Sequence, residues 1–148
     1  YSIRINYNNF VRKDLVNFDI ENTDNAIAEY CKGDYINIHS IETFTVFPDC
    51  GYVWNLYLLE CYVAYYSKEF RLLHFRFNKD TVSGAIVKKA SRFVDYVDLL
   101  VEILAKANIE LNANEALDYL QQEGYIGHRR KNILTKYSLL EKAEALKK

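Results

Sequence analysis

The run from Val53 to Tyr66 constrains the fold more than any other part of the chain. Only Asn55 and Glu60 interrupt its apolar and aromatic side chains. It is too long for a typical strand of about five or six residues and too short for a membrane span, which takes about 20. Trp54, Leu58 and Cys61 form one stripe at helical spacing, and Leu59, Tyr62 and Tyr66 form the next. The spacing predicts a helix that is apolar on more than one side and is therefore buried among other elements.

The segments on either side of this run differ in period. Ser2-Ile3-Arg4-Ile5-Asn6-Tyr7 alternates polar and apolar residues, and 35–38 and 43–47 are rich in β-branched and aromatic residues, so strands are expected in all three. Residues 70–77 alternate less cleanly and are read as a fourth strand. Thr23 is expected to open a short helix that closes at Gly33, and Pro48-Asp49-Cys50-Gly51 is the clearest turn. Beyond residue 78 the period becomes helical. Asp80 or Thr81 is read as capping a helix through Lys89. Phe93, Val97, Leu100, Val101 and Leu104 then stripe a second helix. Asn112, three residues before Glu115, has the spacing of a capping box for a third helix that stops at Gly124. Ile133, Tyr137, Leu140 and Ala143 stripe the last. The predicted class is α+β: a small antiparallel sheet in residues 1–78 packed with a helical half over 79–148, together one compact unit.

Composition narrows the function classes. With 50% hydrophobic and 15% aromatic residues, the chain carries enough apolar material to fold. Its net charge of -1 gives no overall field toward nucleic acid or an anionic membrane, so such a contact has to be a local patch. No basic and then apolar segment resembling a secretory leader opens the sequence. Cys31, Cys50 and Cys61 are an odd set without recognisable spacing. Reduced thiols in a cytoplasmic protein are therefore expected, with no membrane association.

Motifs for chemistry are sparse. His39, His74, His128 and the three cysteines never form the close pairs of a structural zinc site, and no metal or cofactor is expected. The glycines are scattered singly, which excludes a phosphate-cradling loop. Asp49 and Glu60 partly match the acidic pair of a metal-dependent nuclease core. The lysine that should follow the Glu is missing, and Glu60 falls in a helical pattern. The aromatic run Tyr52–Tyr66 is read as core packing, because its rings fall on several helical faces and few cations lie near it. No catalytic residue is assigned.

What remains is a charge asymmetry. From Gly127 to Lys148 there are seven basic and two acidic residues. His128, Arg129, Arg130, Lys131 and Lys136 are the candidate contacts, because cations leading into a helix can meet phosphate through side chains and backbone N–H groups together. The spacing between Gly124 and the next helical residue is too wide for a helix-turn-helix reader. The functional expectation is a non-enzymatic binding module whose basic surface meets nucleic acid or an acidic protein surface. The alternatives are a protein-interaction or homo-oligomerisation domain and an enzyme of unrecognised type.

Overall fold

A computed structural model describes residues 2–77, 80–126 and 131–147, with the side chains of Lys131 and Asn132 outside that description. The fold is α+β, with antiparallel strands in its N-terminal part and helices in its C-terminal part. It divides into two compact units, residues 1–91 and 92–148.

In the first unit β1 (Ser2–Arg4) pairs antiparallel with β2 (Phe10–Arg12), Ile3 lying opposite Val11. Helix α1 (Ile20–Tyr30) follows, capped by Asp19, whose side chain accepts from the Asn22 N–H. Thr23 lies inside the helix instead of at its start, and its hydroxyl donates back to the Asp19 carbonyl at 2.6 Å. Helix α2 (Leu56–Tyr65) takes up most of the apolar run, with Asn55 as its N-cap, so Val53 and Trp54 precede the helix that was expected to include them. A three-stranded sheet has the order β3 (Tyr35–Asn37), β5 (Ala85–Lys88), β4 (Phe70–Leu73), with both pairings antiparallel. Ile86 sits in the middle strand, opposite Ile36 on one side and Leu72 on the other.

Four further expectations for this unit need correction. The segment read as a helix over 80–89 contains β5. Gly84 has φ +140, and a Cβ there would lie 2.7 Å from the Leu73 carbonyl oxygen, so the chain enters the sheet through a conformation only glycine adopts freely. Ala85, Ile86 and Val87 are then buried between two strands, and this continuous apolar run carries no alternation to read. Residues 43–47 form no strand. The Phe47 N–H bonds the Phe44 carbonyl, and the turn brings both rings into one cluster with centroids 5.0 Å apart. A strand would have sent residues three apart to opposite faces. The strands expected over 2–7 and 70–77 end early, at Arg4 and Leu73.

The buried side chains of the first unit surround α2. Leu59, Tyr62 and Val63 pack with Ile27, Ile38 and Ile86, while Leu58 and Cys61 pack with Ile3 and Cys50. Phe18 touches the rings of Trp54, Tyr62 and Tyr66, with centroids 4.9 to 5.7 Å apart. Of the aromatic run, Tyr62 is fully buried, Tyr52, Trp54, Tyr57 and Tyr66 are half-buried against the core, and Tyr65 is exposed, so the expected core packing is only partial.

The second unit contains α3 (Tyr96–Lys106), α4 (Ala113–Gln122), α5 (Lys131–Lys136) and α6 (Leu139–Lys147). Helix α6 packs along α3, and α5 lies against α4 and α6. Leu99, Leu100, Ile103 and Leu104 form the buried stripe of α3, while Val97 and Val101 are only half-buried. Helix α4 ends at Gly124, φ +81, after which the Tyr125 and Ile126 N–H groups bond back to the Leu120 carbonyl. The stripe from Ile133 to Ala143 is interrupted. Ser138 has φ +52 and separates α5 from α6, so one expected helix is two. Asn112 caps α4 through a 2.9 Å bond from the Glu115 N–H. Asn112→Ala should lower stability by about 1 kcal/mol. Denaturation followed by far-ultraviolet circular dichroism checks it, and an unchanged transition would remove the cap from the account.

Candidate functional site

The basic segment singled out in the sequence falls largely outside the described residues. His128, Arg129 and Arg130 lie there entirely, as does the Lys131 side chain. Lys136 is described and exposed on α5, its ammonium 5.3 Å from the Tyr137 ring centroid. Lys142 and Lys147 are also exposed, on α6. Helix α5 has only six residues. Any contact with an anion here rests on the side-chain charges, because so short a helix adds little dipole.

A second candidate was passed over in the sequence because it depends on tertiary packing. Glu60 is 1% exposed on α2, and neither carboxylate oxygen has a hydrogen-bond partner among the described residues. Burial pushes its pKa up to about 7, opposed by the positive charge of Arg4. Arg4 is itself buried on β1, which packs against α2. Its guanidinium carbon lies 4.2 Å from the Tyr57 ring centroid, and Nη2 donates to the Tyr7 carbonyl at 2.9 Å. Tyr7 in turn donates its hydroxyl to Asp80 at 2.9 Å, which together with the Asp80 charge raises the phenol pKa. The charge facing Glu60 is therefore held in place by an aromatic ring and a backbone carbonyl.

A carboxyl group poised near neutrality has the proton affinity of a general acid or base. Catalysis also needs a reacting partner within reach. The neighbouring Cys61 thiol is pushed up by burial, which makes it a poor nucleophile. Cys31 and Cys50 are raised for the same reason, and all three cysteines are free and buried. His74 is lowered by burial. No group of His, Cys, Asp or Glu among the described residues is arranged to hold a metal. Glu60 lies on a helix, so the partial nuclease match is not realised.

Two concave surfaces of the first unit are lined by described residues. One, of about 680 Å³, lies beside α1 and the 67–70 turn, where Lys68, Lys88 and Lys89 mix with Glu21 and Glu69. Charges of both signs leave it without a clear electrostatic preference. The other, of about 840 Å³, is an aromatic groove with carboxylates of one sign only. No described helix is long and apolar enough to cross a membrane. No family model matches the chain, and neither a curated protein nor a solved structure does.

The buried carboxyl predicts a pH dependence. Its folded pKa of about 7 lies above the ordinary 4.5, so the folded chain holds a proton there that the unfolded chain has released. Stability should therefore fall as pH rises from about 4.5 to about 7 and level off above that. Glu60→Gln has no such titration. The melting temperature of the variant minus that of the wild type should climb between pH 5 and 8, by an amount on the order of 2 kcal/mol in stability. Melting curves that stay parallel across that range would refute the assignment.

Proposed function

We propose that the chain is a non-enzymatic binding module whose basic C-terminal segment contacts nucleic-acid phosphates through His128, Arg129, Arg130, Lys131 and Lys136. The observation that carries this reading is the segregation of charge within the second unit. Residues 92–126 hold seven acidic side chains against Arg92 and Lys106 alone, whereas 127–148 hold seven basic against Glu141 and Glu144. The packing sharpens the contrast. Arg92 and Lys106, both largely exposed, pair with the buried carboxylate of Glu102, so the two cations of the acidic stretch have a counter-charge. Lys136, Lys142 and Lys147 are exposed, and none of them forms an ion pair among the described residues. Arg92 and Lys106 thus share a counter-charge, whereas Lys136, Lys142 and Lys147 have none among the described residues.

Phosphate contacts release condensed counterions, so the salt dependence of binding counts them. Wild-type chain titrated into labelled duplex and single-stranded oligonucleotides, followed by fluorescence anisotropy at several salt concentrations, should bind saturably at low salt. Arg129→Ala with Arg130→Ala should weaken binding across sequences and flatten the log–log slope by between about one and two units, at about 0.9 per contact on duplex and about 0.7 on single strands. Absence of saturable wild-type binding would end the nucleic-acid reading and leave an acidic protein surface as the partner of these cations. An unchanged slope in the double variant would place the contact elsewhere.

A further inference from the structure

The aromatic groove of the first unit is chemically unlike the basic segment, and nothing in the proposed function uses it. It runs along Glu42–Thr45, Asp49 and Gly51–Trp54, irregular backbone between β3 and α2. Loop segments of this kind on a rigid support are where binding residues concentrate, and the support here is the aromatic cluster beneath. The Trp54 indole N–H donates to the Pro48 carbonyl at 2.8 Å, which fixes the ring. Phe44 lies nearly parallel to it, at an interplanar angle of 13° with centroids 6.3 Å apart, and Phe47 closes in at 5.1 Å. Val53, which lines the same groove, is 83% exposed. An apolar side chain so uncovered, beside rings already locked in place, gives a partner apolar contact with little further ordering of this chain.

The charges name the partner. Glu42 and Asp49 are the acidic residues along the groove, and no lysine or arginine among the described residues lines it. Such a surface repels phosphate and therefore nucleic acid. What fits is an extended segment that brings cations to the carboxylates and compact apolar residues to the rings and Val53. Proline meets the second requirement without adding an N–H that needs an acceptor, and proline-rich segments in aromatic grooves are an established mode of recognition. We propose that this groove docks a basic, proline-rich peptide segment of another protein, held by Glu42 and Asp49 at its cations and by Trp54 and Val53 at its apolar residues.

Trp54 is the sole tryptophan of the chain, so its emission reports on the groove directly. The full chain is titrated at low salt with a short proline-rich peptide carrying arginines, and with the same peptide carrying glutamates in their place. The arginine peptide should give a saturable change in Trp54 emission and the glutamate peptide none. Glu42→Gln with Asp49→Asn removes both charges and keeps the oxygen that accepts from the Gly51 N–H. The double variant should bind about tenfold more weakly, as expected for two lost charge contacts at a solvent-facing surface. Should it fail to fold, Glu42→Gln alone, at an exposed position, should still show a severalfold loss. The proposal is overturned if the wild type shows no saturable change, if the glutamate peptide binds equally well, or if removing the charges leaves affinity intact. This outcome is independent of the oligonucleotide titration, which probes different residues.

Discussion

The first unit is organised around one buried carboxylate. Asp24 projects from α1 and accepts four hydrogen bonds: from the Tyr62 hydroxyl at 2.7 Å, the Ser67 hydroxyl at 2.6 Å, and the Lys68 and Glu69 N–H groups at 3.0 and 3.1 Å. Those donors come from α2 and from the turn that leads into β4. Ser67 extends the set by accepting from the Phe70 N–H, and its carbonyl takes the Lys89 ammonium from the end of β5. A single side chain thus ties two helices to the entry of one strand, and Ser67 links that entry to the exit of another. A buried ion is costly unless it is fully hydrogen-bonded, and here the donors are supplied by elements that must all be in place. Tyr62 feels the arrangement: burial, and then the hydrogen bond to Asp24 and its charge, raise its phenol well above the ordinary range.

Glu60 is the counterpoint in the same unit. It too is a carboxyl buried by α2, yet no donor meets it, and Arg4 reaches it only through space. The contrast follows from position. Asp24 faces a turn whose N–H groups need an acceptor, whereas Glu60 is met by no donor and feels only the charge of Arg4. One carboxyl is therefore a structural tie and the other a titrating group. The difference lies in the number of donors within reach, because both are equally hidden from water.

Features set by local chemistry were legible in the sequence. The Asn112 cap, the Gly124 stop and the helix over the Val53–Tyr66 run each depend on a few adjacent residues, and each is present. Features set by partners distant in sequence were not. β5 is a strand because β3 and β4 flank it, and residues 85–88 alone show only a short apolar run that a helix would also accept. Ser138 interrupts a stripe whose spacing continues undisturbed through it. The same division applies to the candidate sites. The basic excess after Gly127 is a property of composition and needed no structure to be seen. The Glu60–Arg4 pair and the one-signed groove bring together residues far apart in the chain. No spacing rule could have joined Arg4 to Glu60, or Glu42 to Trp54.

If Asp24 is the tie described here, its removal should damage the first unit far more than the loss of an ordinary helix cap. Chemical denaturation followed by Trp54 emission reads that unit alone, since the chain has one tryptophan. Asp24→Ala should cost at least about 3 kcal/mol, because four donors lose a charged acceptor in a buried setting. Asp19→Ala, which removes the exposed cap of the same helix, should cost about 1 kcal/mol and serves as the reference. A loss in Asp24→Ala no larger than that in Asp19→Ala would contradict the central place given to this carboxylate.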